Sequence, residues 1–318
     1  MKKIIAILLL FSMIFCVSCR KKPEPTVEEK VETKVEKEEE SEAPISTYVF
    51  FGSDTRDSSQ KGRSDVIMLA TIDNETKSIK LVSVYRDTLM DDNGLNKCNA
   101  AYSYGGAEEA MDMLERNLDL SIDGYVSADF LAVIDAIDAV GGIDLNITGE
   151  EAHFANSYIK AMNELYDKNS PDLIEGEQHL DGVQAVGFAR VRYTKGWDYK
   201  RTERQRTVLE LLAEKMKALP EEERTQILLK LITEMKTDLD QSQISDVVNG
   251  AINYDITESC GFPEYKAGKS FDDLGDCIIP TDLVKNVKWL HEKLYNEEDY
   301  TPSEEVEKIN SMINNIAN

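Results

Sequence analysis

The sequence predicts an α/β domain with a mixed central sheet, and two patterns support that prediction. Residues 66–72 and 79–84 are apolar runs on either side of a polar turn, which is typical of an antiparallel hairpin. Elsewhere, short apolar strands alternate with segments whose apolar residues recur at helical spacing. Such alternation indicates a layered α/β architecture, and the antiparallel hairpin makes its sheet mixed.

The first half of the folded chain supplies most of the predicted sheet. An apolar run at residues 48–51 is interpreted as a buried strand that precedes the hairpin. A helix is predicted at residues 107–118, where apolar side chains recur every three or four positions. Next come predicted strands at 125–126 and 143–147 and, between them, a helix at 130–140 that ends at Gly141 and Gly142.

The second half is predicted to be mainly helical. Residues 149–180 are interpreted as an inserted helical excursion, after which residues 182–191 return to the sheet. A long helix is predicted at 202–219, because Thr202 and Gln205 have capping-box spacing and Pro220 follows its end. The remaining predictions are helices near 221–236 and 281–295, a domain that spans 47–296, and a frayed polar tail at 297–318.

The charge of the chain limits the ligands that it can bind. The 318 residues carry a formal net charge of −24, which disfavours nucleic acid as a partner. An anionic ligand would therefore need a local cluster of arginines or a metal ion.

The N-terminus has the pattern of a secretory leader. Lys2 and Lys3 precede an apolar stretch at residues 4–17, which is shorter than the roughly 18–20 residues that span a bilayer. It ends in a small residue followed by a cysteine, which resembles a bacterial lipobox with Cys19 as the lipidated residue. An uncleaved N-terminal anchor is the alternative. Either interpretation tethers the domain to the extracellular face of the cytoplasmic membrane.

The segment after the leader and the other cysteines also lead to predictions. Residues 20–46 are charged and poor in large apolar residues, which indicates a disordered acidic linker. Cys260 and Cys277 flank a loop-like stretch and could form a disulfide, worth about 3 kcal/mol by loop entropy. Cys98 is predicted to be a buried free thiol.

Charged residues mark the ends of the predicted strands. The hairpin brings Arg63 and Asp65 at its beginning close to Arg86 at its end, and the first strand delivers Asp54 and Arg56. Arg–Asp pairs of this kind are also compatible with surface salt bridges, which stabilise a protein little. The sharper hypothesis is a single polar site built from both strand ends.

An arginine-rich segment at residues 189–206 adds to this pattern. Arg190 and Arg192 are predicted to share one strand face, and Arg201, Arg204 and Gln205 to lie at the start of the next helix. A helix N-terminus favours anions, and the planar guanidinium suits phosphate oxygens. A single Arg-x-Arg is more often a solvated strand, so the prediction depends on the segments taken together.

The order of these segments resembles the LytR-CpsA-Psr family over roughly residues 47–218. One departure is Tyr85, where the family usually has a proline. The motifs that carry the resemblance are Gly52-Ser53-Asp54-x-Arg56, Arg63-Ser64-Asp65, Ser83-x-x-Arg86-Asp87, Lys97-x-Asn99-Ala100-Ala101-Tyr102, Gly105-Gly106, Gly141-Gly142 and Arg190-x-Arg192 followed by Asp198-x-x-Arg201-x-x-Arg204-Gln205.

The resemblance implies an α/β/α sandwich with a hydrophobic pocket for a prenyl chain. Enzymes of the family transfer a glycan polymer from a polyprenyl-pyrophosphate carrier to the cell wall, generally to the 6-hydroxyl of N-acetylmuramic acid in peptidoglycan. Polyprenyl phosphate leaves and a phosphodiester link remains. Teichoic acid, capsule and other wall polysaccharides all stay open as the polymer. A surface pyrophosphatase and a non-catalytic module that binds prenyl lipid are the alternatives.

The resemblance also implies roles for the charged residues. Asp54 and Asp65 would hold Mg²⁺, with Mn²⁺ as a substitute, and Asp65 could instead accept the proton of the attacking hydroxyl. Arg86 and Asp65 are the expected catalytic residues. The expected pyrophosphate-binding residues are Arg56, Arg63, Arg86, Arg190, Arg192, Arg201, Arg204 and Gln205.

Overall fold

The structure, a computed structural model, describes residues 45–53, 62–192, 194 and 197–317. The predicted leader with Cys19 and nearly all of the predicted linker lie outside these residues. The strands in chain order are β1 (Ile45–Ser53), β2 (Ser64–Asp73), β3 (Ser78–Val84), β4 (Leu89–Asp91), β5 (Leu95–Lys97), β6 (Gly124–Asp129), β7 (Ile143–Ile147), β8 (Gly176–Leu180), β9 (Lys236–Thr237), β10 (Asp255–Phe262), β11 (Lys266–Phe271) and β12 (Gly275–Pro280).

Helices connect these strands. They are α1 (Cys98–Gly105), α2 (Ala107–Leu118), α3 (Phe130–Ala139), α4 (Gly149–Tyr166), α5 (Gly182–Ala189), α6 (Trp197–Ala218), α7 (Glu221–Glu234), α8 (Gln241–Asn253), α9 (Leu283–Tyr295) and α10 (Glu304–Ala317). Among the described residues, no helix has the length and apolar composition needed to cross a membrane.

The central sheet has six strands in the order β10-β3-β2-β1-β6-β9. The predicted hairpin is confirmed, because β2 and β3 pair antiparallel with Met68 opposite Ser83 and Ile72 opposite Ile79. The β1 strand is antiparallel to β2 and parallel to β6, and β10 is parallel to β3. The sheet is therefore mixed, as the sequence predicts.

Alternating side chains of the sheet enter two separate layers of helices. Val49 and Phe51 of β1 point into the largest core cluster, which also contains buried residues of α1, α2, α9 and α10. Tyr48, on the opposite face of the strand, packs with Leu239 and Tyr254. A further cluster joins α3, α4 and α5 to β7, β8 and α6. This arrangement is the α/β/α sandwich that the resemblance implies.

The segment 182–191, predicted as a strand, is instead the buried helix α5 followed by a short loop. Asp181 and Gln184 form its capping box, with each side chain accepting a hydrogen bond from the backbone N–H of the other at 2.8 and 3.0 Å. Every residue of α5 is buried. A short run that is apolar on all sides has no periodicity to separate a strand from a helix.

Two other boundaries also differ from prediction. Helix α6 begins at Trp197, so Thr202 lies inside the helix and does not cap it. The predicted polar tail contains α10, whose Val306, Ile309 and Ile313 are fully buried in the largest core cluster. Three apolar side chains at helical spacing are enough to dock an otherwise polar helix.

The three cysteines in the part of the chain that the structure describes are free thiols. Cys98 is buried, as predicted, and its thiol lies 3.2 Å from the carbonyl oxygen of Arg86. Cys260 on β10 and Cys277 on β12 are also free thiols, so the suggested disulfide is not formed. Burial raises the pKa of the Cys260 thiol to about 11, which keeps it protonated and unreactive near neutral pH.

Candidate functional site

A basic pocket of about 380 Å³ lies where β2 begins, just beyond the end of β3. Four parts of the chain contribute to it: the hairpin, the loop after α5, the first half of α6, and aromatic side chains of α3 and α4. Its lining residues are Gly62, Arg63, Asp65, Arg86, Phe130, Tyr158, Arg190, Arg192, Arg201 and Gln205. The structure thus brings together most of the charged residues that the sequence singles out. Asp54 and Arg56 lie outside the described residues.

Arg86 lies between two carboxylates. Its guanidinium pairs through one terminal nitrogen with Asp65 and through Nε with Asp87 Oδ2 at 3.4 Å. The Asp65 contact is the one that the hairpin geometry predicts, since it joins the beginning of β2 to the end of β3. Arg86 is therefore oriented from two sides before any ligand binds.

Tyr85, which departs from the family pattern, is compatible with this arrangement. Its backbone N–H donates to the carbonyl oxygen of Phe262 at 2.9 Å, a bond that a proline could not make. Its ring meets that of Tyr199 edge-on at 4.8 Å. Burial raises the pKa of Tyr85 to about 12, so the hydroxyl stays neutral. The substitution thus links β3 to β10 without disturbing the next residue, Arg86.

Aromatic rings hold Arg190. Its Cζ lies 4.3 Å from the ring centroid of Phe130 and 5.0 Å from that of Tyr158. Such contacts orient a guanidinium without cancelling its charge, so the charge remains available to an anion. Arg190 and Arg192 do not share a strand face, because Arg190 is the C-cap of α5 and Arg192 lies in the loop that follows. Both nevertheless line the pocket.

Arg204 does not line the pocket. Its Nε donates to Glu151 at 2.9 Å, and its two terminal nitrogens donate to the Val191 carbonyl and to Thr194 at 3.1 and 2.7 Å. Burial alone would raise the pKa of the Glu151 carboxyl, but hydrogen bonds from Thr148 and Arg204 hold that pKa below its ordinary value. Arg204 therefore connects α6 and α4 to the loop that carries Arg192.

The argument from a helix N-terminus does not apply to the α6 residues. Because α6 begins at Trp197, Arg201 and Gln205 lie more than one turn inside the helix, where backbone N–H groups are already bonded. Their side chains still reach the pocket, although Arg201 is only 3% exposed and Gln205 is buried. It is therefore their placement on the inward face of α6 that brings them to the site.

An apolar slot adjoins the basic pocket. Phe130, Arg190 and Gln205 line both cavities, so the two lie side by side. Its other lining residues are almost all apolar and come from the sheet and from α3, α5 and α6: Phe50, Gly52, Val66, Ala128, Asp129, Val133, Val186, Ala189, Val208 and Leu209. A cationic pocket beside an apolar slot suits an amphiphilic anion.

The described residues offer one of the two predicted metal carboxylates. Asp65 lines the pocket and its side chain is partly exposed. No group of three or more histidine, cysteine, aspartate or glutamate side chains within the described ranges could by itself hold a metal ion. Mg²⁺, however, is usually held by one or two carboxylates together with phosphate oxygens and water, and Asp65 fits that requirement.

The sequence did not identify four residues of this region. Phe130 and Tyr158 carried no signal, because a lone aromatic residue in a predicted helix is indistinguishable from a core residue. Asp87 and Lys97 belong to motifs of the family resemblance but had no predicted role. In the structure their side chains pair at 3.3 Å.

The sequence model of the LytR_cpsA_psr family matches residues 14–259. The chain belongs to the LytR_cpsA_psr family. Two curated relatives carry transferase names. The polyisoprenyl-teichoic acid–peptidoglycan teichoic acid transferase TagU of Enterococcus faecalis is 34% identical over 65% of this chain. TagV of Bacillus subtilis, a transferase with the same descriptive name, is 37% identical over 49% of this chain.

The fold is also that of solved LytR_cpsA_psr-like structures. The protein gbs0355 from Streptococcus agalactiae superposes with a TM-score of 0.67 at 25% identity, covering 82% of this chain and 90% of that one. The two curated relatives are matched over only 65% and 40% of their own lengths.

Proposed function

We propose that this protein transfers a glycopolymer from a polyprenyl-pyrophosphate carrier to a hydroxyl of peptidoglycan, leaving a phosphodiester link. The observation that carries the proposal is that an arginine-lined pocket adjoins an apolar slot, with Phe130, Arg190 and Gln205 lining both. A pyrophosphate joined to a prenyl chain likewise has a charged group next to an apolar chain. The names of the relatives TagU and TagV state a transfer of this reaction class and so support the proposal.

The pocket would bind the pyrophosphate through its arginines. Its walls are lined by Arg86 together with Arg63, Arg190, Arg192 and Arg201, and Gln205 lines both this pocket and the slot. Phosphoryl transfer needs positioning and charge neutralisation more than covalent help from the protein. Arginines held by carboxylates or aromatic rings before the substrate arrives meet that need, because little reorganisation is left for the reaction itself.

In the proposed reaction, the acceptor hydroxyl attacks the phosphorus that carries the glycan. A new P–O bond forms to the acceptor, the bond to the bridging oxygen breaks, and polyprenyl phosphate leaves with that electron pair. Asp65, which lines the pocket and pairs with Arg86, would receive the hydroxyl proton. Arg86, fixed between Asp65 and Asp87, would stabilise the charge that develops on the transferred phosphate.

We also propose that Asp65, with Asp54 by resemblance to the family, holds Mg²⁺ or Mn²⁺ at this pocket. The bound ion would neutralise charge on the pyrophosphate oxygens. The same proposal extends to the N-terminus, where residues 1–19 would tether the domain at the extracellular face of the cytoplasmic membrane as a lipoprotein leader or an anchor.

The apolar slot must widen to receive a prenyl chain. Its volume is about 50 Å³, which is well below the roughly 300–1,000 Å³ of typical ligand pockets. Val133 of α3 and Leu209 of α6 are among the side chains that line it. The proposal therefore includes a movement of these helices away from the sheet when the lipid binds.

A transfer assay tests the proposal. The full chain in detergent is mixed with a synthetic saccharide linked to a polyprenyl pyrophosphate, Mg²⁺ and oligomeric peptidoglycan, and the products are weighed by mass spectrometry. A phosphodiester-linked conjugate that disappears with EDTA is the expected result. Free saccharide phosphate without a conjugate would indicate a pyrophosphatase, and bound but unchanged lipid would indicate a binding module. Either of these results would overturn the transferase proposal.

A further inference from the structure

We propose that Asp87 is a positioning residue that holds Arg86 and Arg192 in one fixed arrangement facing the pyrophosphate. This inference rests on the proposed function, because it assigns the two arginines to the binding of that group. Asp87 does not line the pocket, whereas both arginines do. It would therefore act on the substrate only through them.

The contacts of Asp87 place it at the centre of three cations. One carboxylate oxygen lies 3.4 Å from Arg86 Nε and 3.7 Å from a terminal nitrogen of Arg192. The other oxygen lies 3.3 Å from Lys97 Nζ. The Asp87 side chain is only 13% exposed, so these interactions are screened less than surface ion pairs. Both oxygens are engaged, each from a different side of the carboxylate.

The backbone beneath Asp87 is held by three neighbouring elements. The Asp87 carbonyl accepts a hydrogen bond from Ile278 of β12 at 2.9 Å, and the Arg86 carbonyl accepts one from Asn99 of α1 at 3.1 Å. Tyr85, the residue before Arg86, donates its backbone N–H to the carbonyl oxygen of Phe262 in β10. A carboxylate on such a segment is a rigid anchor, which a long and flexible arginine side chain cannot provide for itself.

Lys97 completes the arrangement. It does not line the basic pocket, and it pairs with Asp87 Oδ1, whereas the two arginines pair with Oδ2. Asp65 and Asp87 together carry two negative charges against the three positive charges of Arg86, Lys97 and Arg192. The cluster therefore remains net positive, and Asp87 can orient two arginines without making the site repel an anion.

Removal of the Asp87 charge separates positioning from a simple effect on the electric field. The Asp87→Asn variant keeps the shape of the side chain but makes the pocket more positive by one charge. If Asp87 only weakened the field, the variant would bind pyrophosphate more tightly and react as fast as the wild type. If Asp87 positions the arginines, turnover should fall because a misplacement of about 1 Å can cost about 10²-fold in rate.

The test measures kcat, KM and thermal stability of the full chain with Asp87→Asn, Asp87→Glu and the control Asp135→Asn. Asp135 pairs with Lys168 at 3.4 Å on α3, outside the lining of both cavities, so its variant should react like the wild type. We expect Asp87→Asn to lower kcat by about 10- to 100-fold in a protein that is still folded at the assay temperature. Asp87→Glu should recover part of the loss.

A double-mutant cycle keeps this inference separable from the transferase proposal. Binding of inorganic pyrophosphate is measured by calorimetry for Asp87→Asn, Arg192→Ala and the double variant, without any transfer reaction. Positioning predicts that Arg192→Ala costs less affinity when Asp87 is already changed. Additive losses would overturn the inference, as would an unchanged kcat with a lower KM, or a loss of kcat that unfolding of the variant at the assay temperature explains. Absence of transfer by the wild type would instead overturn the proposed function. The pyrophosphate-binding cycle would then still test whether Asp87 positions Arg192.

Discussion

Replacement of Arg204 by methionine should destabilise the fold rather than abolish the chemistry. Methionine retains much of the aliphatic volume of the side chain but none of its donors. The Arg204 side chain is 7% exposed and its partner Glu151 is 17% exposed, so the variant leaves a mostly buried carboxylate without its cation. The Val191 carbonyl and Thr194 lose their donors as well.

The magnitude follows from these contacts. Removal of one partner of a buried ion pair costs about 3–5 kcal/mol, and Glu151 keeps part of its solvation and its bonds to Thr148, so we expect about 3 kcal/mol. For a domain of this size, 1 kcal/mol shifts the melting temperature by about 2 °C, which predicts a decrease of about 6 °C. Lys200→Met, which removes an exposed pair with Glu203, should cost less than about 0.5 kcal/mol.

The loss of stability caused by Arg204→Met should also depend on pH. The pKa of Glu151 is lower in the folded protein than its ordinary value, so its contribution to stability is complete above the pKa of the unfolded chain, about 4.3. That contribution disappears as the pH falls through the folded-state pKa. Urea unfolding at pH 7 and at pH 4 should therefore show a larger difference between wild type and Arg204→Met at pH 7. An Arg204→Met protein with wild-type stability but no transfer activity would refute this reasoning. It would indicate that Arg204 binds the substrate, as the sequence predicts.

Three further predictions concern the pocket. Arg86→Ala should lower the transfer rate by about 10²-fold or more while the protein still folds, and residual activity above about a tenth of wild type would contradict its role as a phosphate ligand. Asp65→Ala should remove activity and Mg²⁺ dependence together in a metal titration, whereas metal-independent turnover at the normal rate would argue against metal binding. Phe130→Leu should weaken binding of the lipid pyrophosphate by about 2- to 30-fold, because a cation–π contact is worth about 0.5–2 kcal/mol. Equal affinity of wild type and variant in calorimetry would show that the ring does not support Arg190.

The part of the site that local geometry determines could be predicted from the sequence. A hairpin has a single way to close, so the register of β2 and β3 places Asp65 beside Arg86 once the turn is located. The resemblance to the family gave the order of the arginines. It could not distinguish Arg201, which lines the pocket, from Arg204, which lies one turn away and is bonded to Glu151. That difference depends on the rotation of α6 against α4.

The elements that were mispredicted share a physical cause. Helix α5 is buried on all sides, so its residues 182–189 carry no amphipathic pattern, and α10 exposes so much polar surface that three apolar side chains were easily overlooked. In both cases tertiary packing decides the structure, and packing is not visible in a window of local sequence. The clamp of Phe130 and Tyr158 around Arg190 has the same origin, because it joins residues from three helices.

Because the net charge of the chain is strongly negative, the arginines of the basic pocket attract an anion only over short distances. Charges beyond about 8 Å are largely screened at physiological ionic strength, so the arginines act on a pyrophosphate that has already reached them. Long-range attraction would be of little use under the proposed function, since a tethered enzyme and a lipid-linked substrate share one membrane and meet at high effective concentration. What the site then requires is arginines that are held in place when the anion arrives. Asp65, Asp87 and the two aromatic rings supply that restraint.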